Sequence, residues 1–241
     1  FNKLENDTLK LSVKEMDVIS QMLDLTDMFR VTAEEKGIIF KVYGLEDSVK
    51  VWADSDKLDK ICFNMLSNAM KFTPAGGKIE FSLDVISHDE ASHLFTLTKD
   101  DKDAHYLKIA VRDSGSGIPE SQLERIFDRY HQLEHQTSGA HSWGTGIGLY
   151  FARALATLHH GYIKAENQPV GTGAIFTLIL PVSESTYSDA EKLHLGGAEI
   201  NVPFKKGGLK SIALPVEQSD ENRKKVLVVD DDADVVHYLR E

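Results

Sequence analysis

Two carboxamides and an ammonium recur at helical spacing in Asn64-Met65-Leu66-Ser67-Asn68-Ala69-Met70-Lys71-Phe72. Asn64, Asn68 and Lys71 stand at i, i+4 and i+7, which puts them on one face of a helix. Carboxamide oxygens ligate a hydrated Mg²⁺ and an ammonium meets phosphate oxygens, so this face suits a magnesium–triphosphate group. A solvated polar face has the same spacing and is the plainer alternative. A second group is Asp113-Ser114-Gly115-Ser116-Gly117-Ile118-Pro119, directly after a strand-like run. A carboxylate there can accept a hydrogen bond from an adenine amino group, and the glycines let backbone approach a flat base. Its plain alternative is a tight turn containing an Asp. Ile126-Phe127-Asp128-Arg129-Tyr130 is a small aromatic cluster, most simply a short amphipathic helix that fills a gap in the core. The fourth group is Gly144-Thr145-Gly146-Ile147-Gly148-Leu149, entering a helix. Glycine-rich backbone at a helix N-terminus offers unpaired N–H groups and a positive dipole end to phosphates. The run lacks the Lys-Ser/Thr ending of a P-loop and the glycine spacing and acidic partner of a dinucleotide fingerprint.

These groups need elements to hold them. Apolar periodicity predicts a helix over 18–35, stopped by Gly37, and a second from an Asp54 N-cap to Phe72. Opposite the polar face of the second helix lies a core stripe of Leu58, Ile61, Cys62, Met65, Leu66 and Ala69. Short strands are expected at 38–43 and 49–52 around a turn at 44–48, and longer ones at 78–86 and 106–112. The polar stretch 87–105 reads as a solvated hairpin tip or loop. Short helices follow Pro119, a helix covers 148–159, and strands at 162–165 and 174–180 close the domain. After Pro181 periodicity fades, and 183–224 reads as a linker with one strand at 211–214. Residues 225–229 form a compact apolar strand ahead of Asp230-Asp231-Asp232.

Composition bounds the reading. A 241-residue chain with 41% hydrophobic and 27% charged residues is ordinary soluble protein, large enough for one domain plus extra pieces. Its net charge of −11 argues against a general nucleic-acid or anionic-membrane binder. The one cysteine, Cys62, excludes an internal disulfide and any multi-cysteine metal site, and fits a reducing compartment. No apolar run is long enough to span a bilayer. A start at Phe1 and an end in a helix-like Arg240-Glu241 lead us to expect an excised piece of a longer protein.

Taken together and in this order, the four groups over about 13–182 resemble the ATP-binding domain shared by histidine kinases, type II topoisomerases, mismatch-repair ATPases and one chaperone ATPase family. The resemblance implies an α+β fold: a two-layer α/β sandwich with a mixed β-sheet, helices on one face, and ATP between those helices and a lid. The lid would be about 120–143, containing Gln132, His135, Gln136, Ser138 and Gly139. By the same resemblance Asn68 would ligate Mg²⁺, Lys71 would contact phosphate, Phe72 would pack near the base and Asp113 would read the adenine. Gly115, Gly117, Gly144, Gly146 and Gly148 would allow close backbone approach, with Ile118, Thr145, Ile147 and Leu149 in the same stretches. Thr177 would hydrogen-bond near the adenine. The family often has a basic residue where Gln132 stands, which leaves a phosphate contact from the lid open.

Within the family the chain looks like a histidine kinase. Water-attacking relatives carry a Glu general base at the position of Asn64, and a carboxamide takes no proton. An ATP hydrolase of the topoisomerase or chaperone type is the rival; a non-catalytic nucleotide-sensing module is a third. No histidine has a phosphoacceptor setting, and His159-His160 reads as a helix end complementing the dipole. Residues 1–12 resemble the end of a helical dimerisation hairpin. Residues 225–241 resemble the start of a receiver domain, where Asp230 and Asp231 would hold Mg²⁺ in an intact receiver. The implied whole is a hybrid kinase acting as a homodimer. Its partners would be a phosphoacceptor helical domain and a receiver or cognate response regulator, with no direct nucleic-acid binding. This part would be cytoplasmic and the parent anchored in a bacterial inner membrane.

Overall fold

The computed structural model describes residues 10–98, 104–131 and 146–192. Helix α1 (Val18–Lys36) follows strand β1 (Lys14–Asp17); Asp17 caps the helix by accepting the Ile19 N–H at 3.0 Å. Gly37 ends it in the left-handed region at φ 66°, returning its N–H to the Ala33 and Glu34 carbonyls. Strands β2 (Ile39–Tyr43) and β3 (Lys50–Ala53) come next. Helix α2 (Ser55–Phe72) starts on the Asp54 cap and stops at Thr73 before Pro74. Its buried face is the predicted stripe extended by Met70. Strand β4 (Lys78–Ser87), helix α3 (His88–Leu94) and strand β5 (His105–Asp113) lead into two 3₁₀ turns, Glu120–Gln122 and Arg125–Phe127. Helix α4 (Gly148–Leu158) and strands β6 (Tyr162–Asn167) and β7 (Ala174–Pro181) complete the sheet.

The main sheet runs β2-β4-β5-β7-β6, with β2 parallel to β4 and the other pairs antiparallel. Helices α1, α2 and α4 share one core with Ile79, Phe81, Ile109, Val111, Phe176 and Leu178 on one face of this sheet. Burying apolar area on that face is the main stabilising term. The architecture is therefore the expected two-layer sandwich with a mixed sheet. No described helix is long and apolar enough to cross a membrane.

Four local expectations change. The strands flanking 44–48 do not pair with each other: β3 joins β1 in a separate two-stranded sheet, and β2 joins β4. The stretch after Ser87 is not all loop. Ser87 and Glu90 form a capping box that starts α3, which packs on the sheet's opposite face with Ile86, Tyr106 and Ile179. Helices therefore do not occupy one face alone. Residues 183–192, expected as linker, are folded onto the domain. Tyr187 is buried, its hydroxyl donates to the Pro181 and His159 carbonyls, and the Glu191 carbonyl accepts the Val13 N–H. Finally, His159 is not a charged helix cap. It is fully buried, with Nδ1 bonded to the Leu155 carbonyl at 2.9 Å and Nε2 accepting the Asp54 N–H at 3.2 Å. That pattern requires the neutral ring. Beside it, Asp54 accepts from Lys57 Nζ at 2.5 Å and from the Ser12 N–H at 2.9 Å.

Burial holds the His159 pKa below the ordinary value, with the Leu155 and Asp54 contacts working the other way. The ring stays neutral in the folded chain and charges freely once unfolded. Its contribution is therefore complete above about pH 6.5 and is lost as pH falls from there through the folded value. Urea midpoints should fall between about pH 6.5 and pH 5. His159→Gln should flatten that slope while lowering stability at neutral pH by about 1–3 kcal/mol. An unchanged slope in the variant would contradict the neutral, buried assignment.

Candidate functional site

A carboxamide on a helix has two donors and an oxygen to place. Asn64 gives Nδ2 to the Lys60 carbonyl at 2.7 Å, and Asn68 gives Nδ2 to the Asn64 carbonyl at 2.9 Å. Both amides thus bond back onto α2. Neither Oδ1 accepts a hydrogen bond from any described residue. Lys71 is exposed one turn further on, its Nζ 5.0 Å from the Phe72 ring centroid.

The N-terminus of α4 meets this face. A Cβ on Gly148 would lie 2.3 Å from Asn64 Oδ1, so the glycine is what lets the carboxamide sit there. Ile147 occupies the cap position without any side-chain cap bond, which leaves the first N–H groups of α4 unclaimed by side chains. Gly146 takes φ 66°, and its carbonyl accepts the Tyr130 N–H at 2.9 Å. From inside α4, Arg153 donates to the Phe127 carbonyl at 3.0 Å and lies 5.3 Å over the Phe127 ring. Phe127 is buried edge-on against Phe176, so Ile126 and Phe127 fill the core as expected, whereas Tyr130 is exposed.

Asp113 ends β5 and is buried on the helix side of the sheet. Its Oδ1 accepts the Gly115 N–H at 2.8 Å and the Ala174 N–H at 3.3 Å. Oδ2 accepts nothing from the described residues. Burial pushes the carboxyl above the usual carboxylate range, and the two backbone N–H groups pull it back. A Cβ on Gly115 would lie 2.5 Å from the Phe72 carbonyl, so the end of α2 and the Asp113 loop are in contact. The loop is also fastened to β4, where Ser114 N–H donates to the Lys78 carbonyl and Ser114 Oγ accepts the Lys78 N–H. Asn64 with Gly148, and Phe72 with Gly115, are thus two contacts at successive points along α2.

One residue is placed elsewhere. Thr177 lies on the opposite face of the sheet, in an open concavity of about 360 Å³ with Glu80, Arg112 and Glu166. Its neighbours Phe176 and Leu178 point to the helices, and strand alternation sends Thr177 the other way. The β7 residue beside Asp113 is Ala174. Ile118 and Leu149 pack on the main core. Gly144, Thr145, Gln132, Asp230 and Asp231 lie outside the described residues. The sequence argument missed Asn167, Gln168 and Arg153, whose side chains hold site backbone, and Ala174, whose main-chain N–H meets Asp113 Oδ1. Bonds that involve main-chain groups escape any spacing rule for side chains.

The chemistry on offer is narrow. Among the described residues no group of three or more His, Cys, Asp or Glu could hold a metal ion. One open carboxamide oxygen does fit Mg²⁺, which keeps several waters and takes remaining ligands from phosphates. Beside it are an ammonium, an uncapped helix N-terminus and a half-satisfied buried carboxylate.

The model for histidine kinase-, DNA gyrase B-, and HSP90-like ATPases matches residues 53–184. The sensor histidine kinase TmoS of Ectopseudomonas mendocina is 32% identical over 252 residues, covering 98% of this chain and 24% of that protein. Hybrid signal transduction histidine kinase D of Dictyostelium discoideum is 30% identical over 183 residues, covering 76% of this chain and 11% of that protein. The chain therefore spans a quarter or less of these relatives. The crystal structure of full-length ShkA in complex with AMPPNP shares the fold, with a TM-score of 0.56 at 23% identity over 73% of this chain and 32% of that one.

Two glycines separate geometry from stability. Gly148→Ala meets only a side-chain oxygen, so it should change stability by no more than about 1 kcal/mol while pushing the Asn64 carboxamide aside. Gly173→Ala sets a Cβ 1.9 Å from the Asp113 carbonyl oxygen at φ 114° and should cost more than about 2 kcal/mol. Thermal melts of both variants check the contrast, and equal losses would contradict it.

Proposed function

The chain belongs to the histidine kinase-, DNA gyrase B-, and HSP90-like ATPase family, and on that premise we propose that it is the catalytic part of a two-component sensor kinase. It binds Mg-ATP and passes the γ-phosphoryl group to a histidine on a separate helical domain. One observation carries this reading: Asn64 Oδ1, Asn68 Oδ1 and Asp113 Oδ2 have no hydrogen-bond donors from the described residues, although their partner atoms are all engaged.

Two of the three open groups have a direct task. Asp113 Oδ2 accepts the adenine amino group, and Gly115 and Gly117 let the base lie against backbone. Phe72 packs near the base. Asn68 Oδ1 holds Mg²⁺, which when bound neutralises phosphate charge. Lys71 meets phosphate oxygens, and Gly144, Thr145, Gly146, Ile147, Gly148 and Leu149 bring the phosphates to the N–H groups of α4. The protein's part in phosphoryl transfer is then positioning and charge neutralisation. Asn64 cannot take a proton from water, which favours transfer to a histidine over hydrolysis.

The rest of the reading concerns the whole protein. Residues 1–12 end a dimerisation and phosphoacceptor hairpin, the catalytic domain follows from residue 13, and residues 225–241 open a receiver domain with Asp230 and Asp231 as its metal pair. The names of the relatives, one sensor and one hybrid kinase, support this, as does the alignment with TmoS over 98% of the chain. The parent acts as a homodimer at a bacterial inner membrane, with this part on the cytoplasmic side and a receiver or response regulator taking the phosphoryl group.

Titrations with ATP, with and without Mg²⁺, test the site. Asn68→Ala should weaken binding about tenfold with Mg²⁺ and leave metal-free binding unchanged. Asp113→Ala should weaken ATP binding about tenfold or more under both conditions. Adding a helical histidine domain should give acid-labile phosphate. Sustained phosphate release by the chain alone would point to the hydrolase instead, and binding unaffected by either substitution would end the assignment.

A further inference from the structure

A loop that meets a flat base through its glycines has few side chains of its own to hold it. The Asp113–Ile118 loop is held from behind by two carboxamides at the end of β6. Asn167 pairs with both main-chain groups of Ile118: Oδ1 accepts the N–H at 2.8 Å, and Nδ2 donates to the carbonyl at 2.6 Å. Gln168 Nε2 donates to the Asp113 carbonyl at 2.5 Å. The two side chains therefore grip opposite ends of one loop. Their own backbone is fixed as well, because the Gln168 N–H donates to the Gly173 carbonyl at 3.0 Å across the β6–β7 turn. Gly117, at φ 74°, sits so close that an added Cβ would be 3.0 Å from Asn167 Oδ1.

We propose that Asn167 and Gln168 are positioning residues for base selection, holding the Asp113 loop at the depth and angle that fit adenine. This deepens, and rests on, the assignment of Asp113 as the adenine acceptor. Asn167 spends both amide atoms on main-chain groups and Gln168 spends its Nε2 there, so neither is assigned a contact with nucleotide. They act by fixing where Asp113 Oδ2 and the glycine backbone stand. Moving the loop by a fraction of an ångström would spoil a hydrogen bond to one base edge more than it would spoil phosphate contacts, which come from α2 and α4. A simple structural peg behaves differently: it lowers stability and weakens every nucleotide alike.

The test is equilibrium titration of the 241-residue chain with Mg-ATP and with Mg-GTP, alongside thermal melts. The wild type should prefer ATP. Asn167→Ala should lose about tenfold in ATP affinity with little change for GTP, so the preference collapses. Asn167→Asp keeps the acceptor for the Ile118 N–H and loses the donor, and should fall between. Gln168→Ala should shift the same ratio. If Asn167→Ala does not fold, the Asp and Gln168 variants decide the matter by that ratio. A lowered melting temperature with an unchanged ATP/GTP ratio overturns the proposal and leaves Asp113 in its role. A wild type that binds both nucleotides equally removes the Asp113 assignment itself, and the proposal with it.

Discussion

Helices α2 and α4 lie antiparallel, and two contacts set their register. At one end Gly148 gives way to the Asn64 carboxamide; at the other His159 accepts the Asp54 N–H. The spans agree: ten residues on α2 and eleven on α4 correspond to about 15 and 16.5 Å of helix rise. Between the pins α4 presents Ala152 and Ala156, both fully buried and four and eight residues beyond Gly148. This small-residue row belongs to an i±4 ridge, which allows close helix approach. The polar face of α2 and the uncapped start of α4 meet because of this register. A slip by one turn would move Asn64 away from the helix N-terminus and leave His159 without its donor, a buried polar group unsatisfied.

The two ends of the helix pair differ in electrostatic character. At the His159 end the ring and Asp54 are engaged: the ring is neutral, and Asp54 is matched by Lys57 and the Ser12 N–H. At the Asn64 end the acceptors are open. For a chain of net charge −11, a triphosphate is an unfavourable ligand unless the local field opposes the global one. Lys71, the N-terminus of α4 and a magnesium ion held by Asn68 are the sources available in the proposed complex. They act at short range, where screening by salt is weakest.

Much of this was legible in sequence because it rests on periodicity and punctuation. The stripe on α2, the Asp54 cap and the Gly37 stop are local signals, and the structure has them all. The side of the sheet on which Thr177 falls was not legible. Strand β7 reads Ala174-Ile175-Phe176-Thr177-Leu178-Ile179-Leu180, apolar on both faces because helices cover one face and α3 part of the other. Without alternation, a strand does not announce which residues look toward the site. Residues 183–192 were misjudged for a related reason. Their attachment depends on one buried aromatic, Tyr187, and on main-chain bonds, and neither leaves a periodic trace. Asn167 and Gln168 escaped notice likewise, since a carboxamide that serves distant backbone looks like any other polar residue at a strand end.

The identity of residue 64 links the helix register to the choice of reaction. Its side chain lies against the start of α4, where the dipole attracts negative charge. A carboxylate in that place would be the general base that hydrolysis needs, and it would also compete with phosphate for the same N–H groups. A carboxamide does neither. Its amide is tied to the Lys60 carbonyl, and its neutral oxygen leaves the helix terminus to the ligand. In the proposed reading, the absence of a proton acceptor at 64 favours a nucleophile that attacks without first being deprotonated. A histidine presented by another domain meets that requirement without any further group from this chain.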